Sequence, residues 1–197
     1  MSGLSALYGT RLFDQPEHQA ERARLLEFVA RPGSLGLEIG FDHGMCILDR
    51  ARRFPEARWL GVELRQARVE AAAAHAPENC LLLRMDGRTL LSALLPPASV
   101  DWIYLLFPTP PTGPKRVLLS PAFAGAVESA LRPDGALWFA TDVPDLADAF
   151  DAIFPWELGP PPPLGEALSR RERVCKRDEL TVYRRCLRRP SEAQDRG

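Results

Sequence analysis

The 197-residue chain is 46% hydrophobic and 26% charged, with a formal net charge of −1, the balance of a soluble globular protein with one domain and one core. No apolar run approaches the ~20 residues that span a bilayer, and Met1–Thr10 has neither the basic start nor the apolar stretch of a signal peptide, so a cytoplasmic protein is expected. Cys46, Cys80, Cys175 and Cys186 are scattered and form no C-x-x-C pair, which argues against a zinc site or a disulfide framework and for reduced, mostly buried thiols.

Hydrophobic spacing predicts the elements in chain order. Glu17–Ala30 carries apolar residues at helical spacing and reads as a lead-in helix. Leu35–Ile39 is a short apolar strand ending at a glycine, followed by a helix over Met45–Arg53. Arg58–Glu63 is a second strand, and alanine-rich Gln66–His75 a helix. Cys80–Met85 and Val100–Phe107 are the third and fourth strands. Pro121–Leu131 is a helix with proline in its first turn. Ala136–Thr141 is a fifth strand, Asp145–Ile153 a helix, and Leu180–Leu187 a late strand, antiparallel to the rest. The alternation of strands and helices predicts parallel β-α-β units in a doubly wound sheet. Two proline-rich stretches, 107–114 and 159–163, interrupt the pattern, the second as a stiff connector.

Charge is concentrated at the end. Arg170, Arg171, Arg173, Lys176, Arg177, Arg184, Arg185, Arg188 and Arg189 face only Glu172, Asp178 and Glu179 within that stretch. It reads either as a solvated strand pair and tail or as a surface for a polyanion, with Arg184, Arg185, Arg188 and Arg189 gripping phosphates.

The chemistry is written at the strand ends. In Leu37-Glu38-Ile39-Gly40-Phe41-Asp42-His43-Gly44 a strand runs into a glycine turn and then a helix, where glycine lets the backbone approach a ligand. An acidic residue precedes the first glycine, and Glu63 ends the second strand about 20 residues on, where a carboxylate can accept hydrogen bonds from both hydroxyls of a ribose. Asp86-Gly87 ends the third strand. Glu38 lies inside an apolar strand, where an unpaired carboxylate is costly. His43 is read as a loop-surface histidine, with gating of the pocket as the alternative. Trp102 and Tyr104 read as core, and Phe107, at the end of the fourth strand, as a contact to substrate or cofactor.

The pattern Glu38-x-Gly40-x-x-x-Gly44 resembles motif I of the S-adenosylmethionine-dependent methyltransferases. Over about Leu35–Arg189 the chain resembles, more specifically, the bacterial tRNA (guanine-N7-)-methyltransferases. LEIGF at 37–41 and WLGVEL at 59–64 are similar to that family's first two strands, and VDWIYLLFPTP at 100–110 to its fourth strand and F-P-D-P-W motif. LRPDGALWFATDVPDLADAF at 131–150 is similar to its T-D-x-x-x-Y block, and SRRERVCKRDELTVYRRCLRR at 169–189 to its T-K-F-E segment and final strand.

The resemblance implies a Rossmann-like class I methyltransferase fold, with a mostly parallel seven-stranded sheet and helices on both faces. It implies one domain over 1–197: a lead-in helix over 1–34, a cofactor-binding core over 35–158, a basic segment over 159–189 and a tail over 190–197. It implies methylation of guanine N7 in tRNA with S-adenosylmethionine, by a monomer or homodimer with no metal and no membrane. Cofactor contacts are expected from Glu38, Gly40, Gly44, Glu63, Asp86, Gly87 and Phe107. Substrate contacts are expected from Lys115, Asp142, Ser169 and Glu172, with Thr109 at the position of the motif aspartate as the catalytic candidate.

Departures gather in the substrate half. Thr109 replaces that aspartate, Pro111 the tryptophan, Gly113 an expected lysine and Leu146 the tyrosine, and the basic run shrinks to Lys115-Arg116. They leave open a diverged methyltransferase with a small-molecule or protein substrate, or a non-catalytic cofactor-binding subunit.

Overall fold

The computed structural model describes residues 16–110, 118–159 and 169–190. Its elements are α1 (Pro16–Ala30), β1 (Leu35–Ile39), α2 (Met45–Arg53), β2 (Arg58–Glu63), α3 (Gln66–Ala73), β3 (Cys80–Arg84), α4 (Gly87–Thr89, continued by a π-helical turn over Leu90–Leu94), β4 (Val100–Leu106), α5 (Pro121–Ala130), β5 (Leu131–Thr141), α6 (Pro144–Ile153), α7 (Arg170–Arg177) and β6 (Tyr183–Arg188). Among the described residues there is one sheet, in the order β3-β2-β1-β4-β5-β6. The pairings from β3 through β5 are parallel, and β6 runs antiparallel to β5.

The expected α/β fold is present, with two corrections. The sheet has six strands among the described residues, where seven were expected. The basic stretch after Ser169 is a helix followed by a strand, where a strand pair was one reading. Helix α7 was hidden because five of its eight residues, RRERVCKR, are basic, leaving almost no apolar stripe to read.

Side-chain alternation divides the core between the two faces of the sheet. Leu35, Leu37 and Ile39 of β1 and Leu60 and Val62 of β2 pack with α1, α5 and α6. Trp59 of β2, Leu82 of β3 and Tyr104 of β4 pack with α2 and α3 on the other face. Trp59 stacks on Trp102 at 6.0 Å between ring centroids, so these strand aromatics are core, as expected. Buried Arg58 closes α1: its guanidinium donates to the carbonyls of Phe28 (2.7 Å), Val29 (2.7 Å) and Gly33 (2.6 Å), satisfying acceptors that a helix end leaves open.

Among the strand ends that differ from expectation, those of β4 and β5 have local reasons. β4 stops at Leu106 because Phe107 turns to φ 50. β5 begins at Leu131, directly after α5, but its pairing with β4 shifts register and resumes at Trp102↔Ala136, beyond the Pro133-Asp134-Gly135 turn. β1 lies between β2 and β4, so the chain reverses direction across the sheet at the β1–β4 boundary. In open parallel sheets ligands bind outside the carboxyl ends of the strands at such a point.

Candidate active site

A cavity of about 930 Å³ opens at that point, within the range of small-molecule sites. The residues following each parallel strand wall it: Gly40 to His43 after β1, Leu64 and Arg65 after β2, Met85 to Arg88 after β3, Phe107 to Pro110 after β4, and Asp142 and Val143 after β5. Ser169, Arg170 and Arg171 at the start of α7 complete the wall.

Of the expected site residues, Glu38, Gly40, Glu63, Asp86, Gly87, Phe107, Thr109, Asp142 and Ser169 all line this one cavity. Gly44 and Glu172 are not on its wall, and Lys115 lies outside the described residues. Gly44 serves the turn instead. It has φ +74, and a β-carbon there would stand 3.0 Å from the Ala72 β-carbon, so it sets the approach of α2 to α3. Glu172 accepts two bonds from Arg184, from Nε at 3.1 Å and Nη2 at 2.5 Å.

Gly40 has φ +75 and nothing within 4 Å of a β-carbon built on it, so the space above its backbone is open to a ligand. Helix α2 starts without a side-chain cap, and its positive end stands beside the cavity residues Met45 and Cys46. Gly87 is required by packing, since a β-carbon would fall 2.5 Å from Ile39 Cγ2.

Each carboxylate on the wall meets an arginine. Glu38 is buried and accepts from Arg50 Nη1 of α2 at 3.1 Å, while the Arg50 guanidinium lies 4.0 Å over the Tyr104 ring. Burial outweighs the arginine and raises the Glu38 carboxyl to about 7. Glu63 accepts from the backbone N–H groups of Asp42 (3.1 Å), Leu64 (2.9 Å) and Arg65 (3.0 Å) and from Arg65 Nε (3.0 Å). Burial works to raise this carboxyl, but the Arg65 bonds and charge and the Asp42 N–H together hold it below its ordinary value. Asp86 caps α4, accepting from the Arg88 N–H at 2.8 Å, and pairs with the Arg88 side chain at 2.8 Å. Asp142 is held low by the Arg171 guanidinium, whose Nε donates at 3.1 Å.

Arg65, Arg88, Arg170 and Arg171 were not singled out as site residues from the sequence. The first two carried a readable signal, an acid-x-Arg spacing repeated at the ends of β2 and β3. The last two depend on where α7 lands. Ser169 caps α7, accepting from the Glu172 N–H at 3.1 Å, and so aims Arg170 and Arg171 at the cavity. Thr109 is an exposed residue of the wall. Cys46 is no nucleophile, because burial pushes its thiol up. Arg185 of the basic end pairs with Asp151, from Nε at 2.9 Å. Among the described residues no group of three His, Cys, Asp or Glu is placed to hold a metal ion, and no helix is long and apolar enough to cross a membrane.

Comparison with known proteins gives the family and the fold of the chain. The family model described as "Putative methyltransferase" matches residues 33–154. A tRNA (guanine-N(7)-)-methyltransferase of Azorhizobium caulinodans is 36% identical over 170 residues, which cover 73% of this chain and 72% of that protein. The protein of the same name from Nitrosococcus oceani is 32% identical over 130 residues, 62% of this chain and 55% of that protein. The chain therefore spans little more than half the length of some relatives it matches. Among solved structures, the 16S rRNA methyltransferase KamB superposes with a TM-score of 0.65 at 17% identity, over 86% of this chain and 94% of that chain. The 16S rRNA (adenine(1408)-N(1))-methyltransferase of Catenulisporales acidiphilia, a W203A mutant, superposes with a TM-score of 0.57 at 14% identity, over 87% and 92%. Likeness at such identities shows the fold. The matched family model and relatives assign this chain to the family of the bacterial tRNA (guanine-N(7)-)-methyltransferases.

Proposed function

We propose that the chain transfers a methyl group from S-adenosylmethionine to guanine N7 of tRNA. The observation that carries this reading is the convergence of Glu38, Glu63 and Asp86 with Phe107, Thr109, Asp142 and Ser169 on one cavity. The open backbone at Gly40 and the uncapped start of α2 fit the methionine half of the cofactor, with its carboxylate at the helix end. Glu63, ionised and fixed by backbone donors, fits the ribose hydroxyls, and Asp86 the adenine side. Of the donors on Glu63, the Arg65 side chain is the exposed one, and on this reading it yields to the ribose. When bound, the cofactor supplies an electrophilic methyl group.

The chain's own contribution is position. Guanine N7 is a lone-pair acceptor on the major-groove edge and attacks without losing a proton, so the site needs orientation and no general base. Phe107, in a left-handed backbone conformation that a non-glycine residue adopts at some cost, turns the chain so that Phe107–Pro110 forms the wall beside the reacting groups. Thr109 offers one hydrogen bond in each direction. Asp142 stays ionised on the substrate side. The names of the relatives support tRNA as the substrate, and a cytoplasmic location goes with it.

A second reading, a cofactor-binding subunit without transfer, is favoured by the Arg171 ion pair, which already occupies Asp142. One experiment separates the two. Isothermal titration with S-adenosylhomocysteine is expected to show binding that Glu63→Ala weakens by about tenfold or more, the cost of bonds to a charged group. Transfer of radiolabelled methyl to unmodified tRNA, with nucleoside analysis for N7-methylguanosine, is expected from the wild type. Binding without transfer to tRNA overturns the first reading and leaves the second, equal affinity of wild type and Glu63→Ala overturns the role given to Glu63, and absence of binding sinks both readings.

A further inference from the structure

The rim of the cavity carries a cationic cluster that the methyl-transfer reading does not use. His43, in the β1–α2 turn, stands between two guanidinium groups. Arg68 of α3 brings Nη1 to 2.7 Å from Nδ1 of the ring, and Arg170 of α7 brings Nη1 to 2.9 Å from Nε2. A guanidinium only donates, and a neutral imidazole has one donor and one acceptor nitrogen. Whichever tautomer is present, one contact is a hydrogen bond and the other sets N–H against N–H; on a protonated ring both do.

The carboxylate of this cluster is Asp42, and it is shared. It lies 2.7 Å from Arg65 Nη2, 3.5 Å from Arg68 Nε and 3.7 Å from His43 Nε2. Arg170 has no carboxylate partner among the described residues. The rim therefore has more donors and more positive charge than its own acceptors satisfy, across a junction of three elements distant in sequence.

We propose that Arg68, His43 and Arg170 form a phosphate-binding site on the cavity rim, and that its ligand is a phosphodiester of the nucleic-acid substrate beside the base to be methylated. A phosphate oxygen only accepts when ionised, so an anion entering between the His43 ring N–H and the guanidinium facing it replaces the donor–donor contact with charge-assisted bonds from both. Arg170 and His43 also line the cavity, so a backbone held there leaves its neighbouring base at the cavity mouth. Phosphate contacts position a nucleic acid without reading its sequence, so the site orients the substrate and leaves base choice to the cavity. The nucleic-acid part of this inference rests on the function proposed above, whereas the anion site does not.

The test follows the arginine Nε–Hε signals of the full chain by NMR during titration with inorganic phosphate, with the ribodinucleotide GpG, and with guanosine as an uncharged control. Phosphate and GpG are expected to shift the Arg68 and Arg170 signals, assigned from Arg68→Gln and Arg170→Gln, while guanosine leaves them in place. Each glutamine substitution is expected to weaken phosphate binding about tenfold. Arg170→Lys keeps the charge and recovers part of it. S-adenosylhomocysteine titration verifies that each variant is folded. With tRNA, Arg170→Gln is expected to raise KM and lower the salt slope by about one. No phosphate-dependent shift of either arginine in the wild type, or glutamine variants that bind phosphate as the wild type does, overturns the site whether or not tRNA is methylated. Phosphate binding without tRNA methylation supports the anion site and overturns the tRNA reading.

Discussion

Glu38 shows what the cavity costs at the scale of one residue. Its carboxyl is raised from the ordinary 4.5 to about 7 because burial outweighs Arg50. A carboxyl that holds its proton more tightly when folded makes folding less favourable as pH rises between those two values. Stability is therefore expected to fall from about pH 4.5 to about pH 7 and then level. In Glu38→Gln that decline is expected to be missing. Glu63 and Asp142 are lowered instead, so their stabilisation is lost only as pH falls below their ordinary values of 4.5 and 3.8 and does not mask the decline. Denaturation midpoints measured across pH 4–8 check this, and identical profiles for wild type and Glu38→Gln refute it. Thr109 gives a second prediction. Thr109→Asp is expected to raise N7 methylation of tRNA, because a carboxylate at this exposed part of the wall adds an acceptor that can fix base or cofactor donors in reacting geometry. The opposing cost of placing a new charge is small where the side chain is exposed. Methyl transfer at matched cofactor saturation decides it, and a mutant that binds cofactor but is no more active than wild type counts against it.

Elements are placed here by a few polar side chains that sequence periodicity does not reveal. Arg58 begins β2 yet closes α1, with three carbonyl acceptors on one guanidinium. Each buried acceptor left unmet costs about 1–3 kcal/mol. Arg58→Ala is expected to lower stability by roughly 3 kcal/mol or more, and Arg58→Lys to restore only part, because a point charge cannot reproduce the fork. Chemical denaturation measures this, and a loss under about 1 kcal/mol would show that water replaces the contacts. Asn79 works in the same way below the α2–β2 turn, donating to the carbonyls of Ala51 (2.9 Å), Phe54 (3.2 Å) and Ala57 (2.8 Å). At the other end of the chain, the Ser169 cap and the ion pairs of Arg171 with Asp142 and Arg184 with Glu172 fix α7 against the sheet.

Across the whole molecule, a net charge of −1 conceals an uneven surface. Arg184 and Arg185 are spent on Glu172 and Asp151. Arg173 and Lys176 of α7 are exposed, have no carboxylate partner among the described residues, and sit three positions apart on one helix face. That face continues from Arg170 on the cavity rim. tRNA affinity is expected to fall as salt rises, because cations on phosphates release counterions. Arg173→Ala with Lys176→Ala is expected to flatten that dependence by about two in slope. Arg184→Ala with Arg185→Ala flattens it less, since these side chains must first leave their partners. Filter binding across a salt series compares the pairs, and a larger change from Arg184 and Arg185 would move the RNA surface to β6.

The sequence by itself determined the order of the strands along the chain, the helices α1, α2, α3, α5 and α6, most strand boundaries, and the strand ends that carry Glu38, Glu63 and Asp86. These follow from period-2 and period-3.6 patterning and from glycine turns, which are local properties. Glu38, Glu63 and Asp86 were legible because an acid at the edge of an apolar run stands out against it. Only the tertiary structure decided which arginine meets each acid, that Gly44 and Glu172 lie off the cavity wall, and that Arg170 and Arg171 of α7 reach it. The contact of Arg170 with His43 joins positions 127 residues apart, and α7 itself has too little apolar surface to declare a helix in sequence. Such pairings arise only when the chain closes on itself, because they depend on distance in space, which no local pattern encodes.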